Sequence, residues 1–405
     1  METLKRREHD FSSKLRQESV ITRVREYISW QRDLDRCSYN QILPHLGPIS
    51  INLDVTSACN YLCSYCVDSM ILNTGEYLKL EEVRKTIDTL HANGLLSVIL
   101  VGGGEPTLHR NFGEIVRYIK NKRLEIGIVT NGSRMDKIAE VAGLLEEKDW
   151  IRISIDAARK DTFRNLHRPK KEVILERILR EAQKIKEMNS RVSLGYSFVI
   201  VWDGLENNGN RLSPNIDEMA DSVRLAKEHA FDYVSFKPCL IRLEDSKRES
   251  LLDKVDPERE NEIVAEIKKN LRKAEEIAQG EVKILESVNL RAMLNGETAR
   301  IKKQPKRCHM QFFRTVVTPA GIFHCPAFRG IEKAKIAESD GYSTPEKLEE
   351  SLKRTAESVM TFDAEEECKV VGCFYNHSNW WLEGIIHSAK DIKEIEIVED
   401  HNFFL

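Results

Sequence analysis

The chain lacks the apolar run that a membrane span needs, and it lacks a surplus of positive charge. No stretch of its 405 residues approaches the roughly 20 apolar residues of a transmembrane helix. Lys and Arg number 62 against 65 Asp and Glu, a formal net charge of −3. No basic run stands out, so neither nucleic acid nor a membrane surface is expected as a partner. The opening residues METLKRREHDFSSKLRQ are charged and hold no apolar core of the kind a signal peptide carries. A cytoplasmic location is therefore expected. No low-complexity segment is present, and no repeat beyond an alternation of strand and helix.

Cysteine, by contrast, is abundant. Nine cysteines in a chain expected to be cytoplasmic read as metal ligands or catalytic thiols rather than disulfides. Three fall within TSACNYLCSYC, at Cys59, Cys63 and Cys66. Four come late, at Cys308, Cys325, Cys368 and Cys373. Cys37 and Cys239 stand alone.

Residues 1–48 read as a helical extension, with Leu15, Ile21, Val24 and Ile28 on one apolar stripe. From residue 49 strands and helices alternate. Strands are expected at 49–55, 96–101, 125–130, 150–156, 192–201 and 231–237. Helices are expected at 79–94, about 110–121, 134–147, 172–188 and 216–229. Strict alternation argues for a parallel sheet with right-handed crossovers, either open or a partial barrel. Residues 241–300 read as a helical connector, with a charged helix at 257–279. Residues 301–405 read as a small α+β domain that opens on the hairpin VVTPAGIFHCP and ends in a helix carrying Trp380, Trp381 and Leu382.

Thiolates select zinc or iron–sulfur. Structural zinc is closed by four ligands, and the triplet offers three. His45 precedes the first strand and would lie at its opposite end. Three thiolates on one loop fit a cubane [4Fe–4S] cluster with one iron left open. VGGGEPTLH follows the second strand. Its glycines let backbone approach a ligand, and Glu105, fixed by Pro106, is placed to accept from an ammonium group. In parallel barrels the site lies at the C-terminal strand ends. The cysteine loop, the Gly-Gly-Glu-Pro loop, Thr130-Asn131-Gly132, Ser154 with Asp156, and Lys237 with Cys239 all fall on that rim.

Cys59-x3-Cys63-x2-Cys66, with Tyr65 before the last cysteine, and Gly103-Gly104-Glu105-Pro106 together resemble the radical S-adenosylmethionine (SAM) superfamily over about 49–240. The resemblance implies a (β/α)6 partial TIM barrel. It implies that Cys59, Cys63 and Cys66 ligate a [4Fe–4S] cluster whose open iron is chelated by SAM, and that one electron splits SAM to methionine and a 5′-deoxyadenosyl radical. Tyr65 would then lie beside the adenine. Gly103, Gly104 and Glu105 would hold the methionyl ammonium, and Ser154 and Asp156 would meet the ribose. The alternative for Ser154 and Asp156 is a strand-end cap. Arg168 is a candidate for a carboxylate of SAM or substrate, with a surface role as its alternative. A flavodoxin or ferredoxin-type protein is the expected reductant.

The late cysteines resemble the twitch domain, the shortened form of the SPASM domain that follows some radical SAM barrels. Four thiolates imply one auxiliary [4Fe–4S] cluster. His309, His324 or His377 are candidates to replace one of them, and zinc is the alternative metal. Lone Cys239 reads as a small buried hydrophobe or as a hydrogen-atom donor or substrate contact. A small-molecule substrate of sugar or aminocyclitol type, oxidised after hydrogen abstraction, is expected. The alternatives are a maturase acting on a ribosomally made peptide, epimerase-type chemistry through Cys239, and a non-catalytic iron–sulfur electron carrier. The last leaves the open cluster position and Gly-Gly-Glu-Pro unexplained.

Overall fold

A computed structural model of the chain describes residues 11–34, 47–207, 209–244, 247–252 and 255–400. Cys37 and His45 lie outside the described residues. Six parallel strands form as expected: β1 Ser50–Leu53, β2 Ser97–Leu100, β3 Glu125–Thr130, β4 Trp150–Ser154, β5 Ser193–Ile200 and β6 Tyr233–Pro238. Neighbours in sequence are neighbours in the sheet. Helices Leu80–Ala92, Phe112–Asn121, Met135–Ala142, Leu175–Met188 and Met219–Glu228 fill the crossovers. The strands are apolar on the helix side and mixed polar and apolar on the other, which is the period-2 rule applied to a barrel wall. Ile151 and Ile153 of β4 are buried under helices, whereas Trp150, Arg152 and Ser154 face the lumen.

Three features depart from the sequence reading. A short helix, Lys160–His167, stands between β4 and helix Leu175–Met188. Its buried apolar residues are only Phe163 and Leu166, too few for a periodic signal. The segment read as helical connector also carries a strand, β7 Lys283–Glu286, which pairs in parallel with β6. The expected hairpin forms from β8 Arg314–Thr318 and β9 Gly321–Phe323, followed by β10 Lys335–Ala337. The outer edge of β8, however, pairs in parallel with β1. The result is one ten-stranded sheet in the order β7-β6-β5-β4-β3-β2-β1-β8-β9-β10. Backbone hydrogen bonds thus carry the late-cysteine segment directly on the barrel wall.

Helix Glu18–Asp33 buries Val20, Ile21, Val24, Tyr27 and Ile28, a stripe at helical spacing. The stripe packs on Phe312, Phe313 and the helix Asn376–Ile386. Within that helix Trp381 and Leu382 join the packing, while Trp380 is exposed and donates its indole N–H to the Lys303 carbonyl at 2.9 Å. Among the described residues no helix is long and apolar enough to cross a membrane.

Asp149, just before β4, anchors the end of the barrel away from the cysteine loop. Its carboxylate accepts from the Ile126 and Glu146 N–H groups, each at 2.8 Å, and pairs with Lys120 at 2.6 Å. Asp149→Ala leaves two N–H groups without acceptors and Lys120 with Glu146 as its remaining carboxylate partner, so a loss of about 2 kcal/mol in stability is expected. A lowered urea midpoint, with the iron content of reconstituted protein unchanged, is the check.

Candidate active site

The cysteine loop leaves β1 at the C-terminal rim and is held from two sides. Along one side runs the chain that follows helix Lys160–His167. Leu62 N–H donates to the His167 carbonyl (3.1 Å), Ser64 N–H to the Leu166 carbonyl (2.9 Å), and Lys170 Nζ to the Cys59 carbonyl (2.9 Å). On the other side, Asn73 accepts the Cys59 N–H through Oδ1 at 3.0 Å. All three thiols are free and half-buried. Burial raises the Cys63 thiol well above its ordinary range, and the Cys66 and Cys59 charges raise it further. Burial, then Asp68, push Cys66 up to about 12. Such thiols stay protonated at neutral pH unless a metal displaces the proton, so the donor set fits an iron–sulfur centre.

Beneath this loop lies the glycine turn. A Cβ on Gly104 would collide with the Thr56 and Ala58 carbonyls, so only glycine permits this approach. Glu105 N–H donates to the Ala58 carbonyl at 2.8 Å. The Glu105 side chain turns inward rather than toward open space. Its carboxylate accepts from Thr107 N–H (3.1 Å), Thr107 Oγ1 (2.6 Å), Thr130 Oγ1 (2.7 Å) and Asn131 N–H (2.7 Å). Those four bonds tie the rim loop of β2 to that of β3. Asn131 continues the chain of contacts to Asn60 Oδ1 at 2.9 Å.

Asp156, one turn past β4, has φ +56° and is buried. This left-handed backbone is tolerated by aspartate. It aims one carboxylate oxygen at the Tyr65 hydroxyl and the other at Val199 N–H (2.7 Å). Tyr65 is thereby fixed beside Cys63 and Cys66. Ser154 ends β4 in register with Ser197 of β5. Cys239, at the end of β6, is buried. Burial raises its thiol, as does the Asp156 charge, so it belongs to the same group of residues. Arg168 is exposed and caps its helix with φ +44°.

His167 was not legible as a site residue. It is fully buried, donates Nε2–H to the Ile155 carbonyl at 2.8 Å, and so presents a bare Nδ1 to Cys63 Sγ at 3.3 Å. Nothing in LHRPK distinguishes it from a core histidine. A second missed group is ionic. Arg329, buried after Cys325, pairs with Asp54 Oδ2 through Nε (2.6 Å) and with Asp68 Oδ2 through Nη1 (2.8 Å). Asp54 also accepts Gly103 N–H at 3.1 Å. Burial raises the Asp54 carboxyl to about 7 although Arg329 opposes it.

The four late cysteines converge. Cys308, Cys325, Cys368 and Cys373 line one enclosed cavity of about 90 Å³, together with His324, Leu240 and Glu249. Burial raises each thiol, and the charges of the other three raise Cys368 further. Of the candidate histidines, His309 is committed to Tyr27 (2.8 Å) and Glu383 (2.7 Å), and His377 is exposed. His324 faces the cavity with both ring nitrogens unpartnered. Leu240 follows Cys239, so the rim of the barrel reaches the wall of this cavity.

Replacing Glu105 by Gln puts an amide NH2 where N–H and O–H donors now point. The expected cost is about 2 kcal/mol of stability. It should appear as a lower urea midpoint for Glu105→Gln, with a smaller loss for Thr107→Val, which removes one donor.

Comparison with known proteins agrees with this geometry. Residues 53–208 match the Radical SAM superfamily. Over 114 residues, 28% of this chain and 41% of the relative, the sequence is 35% identical to the S-adenosylmethionine-dependent nucleotide dehydratase of Selenomonas ruminantium. Over 116 residues, 28% of this chain and 35% of the relative, it is 39% identical to the GTP 3′,8-cyclase of Synechocystis sp.. The matches thus span less than half the length of these relatives. Among solved structures, SuiB of Streptococcus suis superposes with a TM-score of 0.53 at 15% identity, over 75% of this chain and 66% of SuiB, a likeness of fold. With its match at residues 53–208, the parallel barrel that brings three cysteines and the Gly-Gly-Glu-Pro turn to one rim is similar to the Radical SAM superfamily domain.

Proposed function

We propose that the protein abstracts a hydrogen atom from a small polar metabolite of sugar or aminocyclitol type and oxidises it. Cys59, Cys63 and Cys66 would hold a [4Fe–4S] cluster, and the rim around them SAM. When bound, the cluster and SAM supply the carbon-centred radical that removes the hydrogen atom. The chain's own residues prepare the place. Gly104 allows the glycine turn to underlie the cysteine loop, and Glu105 locks two rim loops together. Gly103 and Gly104 leave backbone open to the methionyl ammonium. Asp156 sets the orientation of Tyr65 beside the adenine, with Ser154 toward the ribose.

The observation that carries the oxidative reading is the convergence of Cys308, Cys325, Cys368 and Cys373 on one cavity next to the barrel rim. Four thiols around a volume suit an auxiliary [4Fe–4S] cluster, as in a twitch domain, which would supply an electron acceptor there. A flavodoxin or ferredoxin-type protein would be the reductant.

Anaerobic reconstitution is expected to load about eight irons per chain, and the Cys59→Ala, Cys63→Ala, Cys66→Ala triple variant about four. The triple variant should form no 5′-deoxyadenosine from SAM, and its formation would overturn the assignment. Cys373→Ala should lose the second set of irons alone, keep SAM cleavage without substrate, and lose product.

A second reading is favoured by Cys239, which is buried on the rim within the field of Asp156 and Tyr65. As a hydrogen-atom donor it would invert a carbon without net oxidation of the substrate, and the thiyl radical left on Cys239 would take one electron from the flavodoxin or ferredoxin-type reductant and a proton to become a thiol again. Product made in deuterium oxide separates the two. Oxidation leaves no carbon-bound deuterium. Deuterium present in the wild type and absent in Cys239→Ala would make this an epimerase-type enzyme.

A further inference from the structure

Above the floor of the barrel, the lumen is rich in hydrogen-bond donors and poor in acceptors. Its floor is aromatic. Trp150 lies against Gly127, and Tyr233 against Gly195, and at each glycine a Cβ would strike the ring. Arg152, Gly195 and Tyr233 are in register across β4, β5 and β6. Ser154, Ser197 and Ser235 form the next layer, and Lys237 stands above them opposite Val199.

Among the described residues, Arg152, Ser197, Tyr233 and Lys237 in these layers carry donors without an acceptor. Among the described residues Arg152 makes no ion pair, its Nε is buried without an acceptor, and its guanidinium stacks on Trp150 at 5.3 Å. The Ser197 hydroxyl (1% exposed) and the Tyr233 hydroxyl (3% exposed) are likewise buried and unpaired. Lys237 makes no hydrogen bond or ion pair among the described residues. All four can donate, and the two cations cannot accept. The carboxylate whose field reaches Lys237 is Asp156, and its two oxygens are already taken by Val199 N–H and the Tyr65 hydroxyl.

Two cations with no counterion in a partly buried lumen are costly. Burial and Arg152 together push Lys237 down to about 7. An anion between Arg152 and Lys237 would give both charges a partner, with the intervening hydroxyls on the same face of the sheet.

We propose that the lumen seats an anionic group of the substrate, a phosphate or a carboxylate, on Arg152 and Lys237, with the Tyr233 and Ser197 hydroxyls as further donors. The rest of the substrate would then project toward the rim, where Cys59, Cys63, Cys66 and Cys239 lie. The inference rests on the enzymatic reading above in treating the guest as substrate, and it narrows the metabolite to a phosphorylated or acidic one.

Titration calorimetry of the reconstituted holoenzyme with inorganic phosphate, and separately with acetate, with and without saturating SAM, tests it. Saturable binding of at least one anion is expected, retained when SAM is present, and weakened about tenfold or more in Lys237→Met and in Arg152→Gln. Stronger binding of phosphate names a phosphorylated substrate, and stronger binding of acetate a carboxylic acid. Iron content reports whether each variant is folded. If loss of the Trp150 stack unfolds Arg152→Gln, Lys237→Met decides alone. The proposal is overturned if neither anion binds saturably, if the folded variants bind as the wild type does, or if SAM displaces the anion, because the seat would then be its own. The titration involves no turnover, so its failure is distinct from a failure to load iron or cleave SAM.

Discussion

The Arg329 guanidinium, buried between Asp54 and Asp68, is the interaction on which the two cysteine sites depend. Asp54 ends the first barrel strand and accepts from Gly103. Asp68 follows the last cysteine of the loop, and Arg329 follows Cys325. One side chain therefore ties the first-cysteine loop to the segment that follows Cys325, beside the pairing of β1 with β8. Removing three charges from water offsets much of their attraction, so the group adds little net stability. Its effect is on geometry. Any slip of one segment against the other strands a buried charge.

The barrel was legible because its strands are short apolar runs separated by amphipathic helices, and that pattern is local. The rim was legible because thiols and glycines are rare enough for their spacing to mean something. What escaped was every relation between distant segments. β8 reads as half of a hairpin, and nothing in TVVT says that its other edge will pair with β1. β7 is four residues behind a long helix. His167 looks like any core histidine, and Arg329 like any surface arginine. Glu105 was read as a ligand-binding carboxylate. The structure shows its side chain bonded to Thr107, Thr130 and Asn131, a role visible only once β3 lies beside β2.

The lumen shows the same division between pattern and partner. Alternation along β4, β5 and β6 tells which residues face inward. Periodicity does not report that Arg152, Ser197, Tyr233 and Lys237 would arrive there without acceptors. Unsatisfied groups of this kind are uncommon in a protein interior. They contrast with Glu105 and Asp156 on the rim, whose carboxylates are bonded on both oxygens. The contrast separates what the chain completes by itself from what it leaves for a guest.

Helix Glu18–Asp33 has a bearing on biosynthesis. Arg32 donates to the Ile385 carbonyl across 353 residues, Tyr27 reaches His309 next to Cys308, and Gln17 bridges to Val398. Contacts of such sequence separation are slow to form because loop closure precedes any gain. During synthesis at the ribosome, this early helix has nothing to cover until almost the whole chain has emerged. The barrel with its first cysteine loop can assemble well before that. The cavity lined by the late cysteines is therefore the last part of the molecule to be walled in.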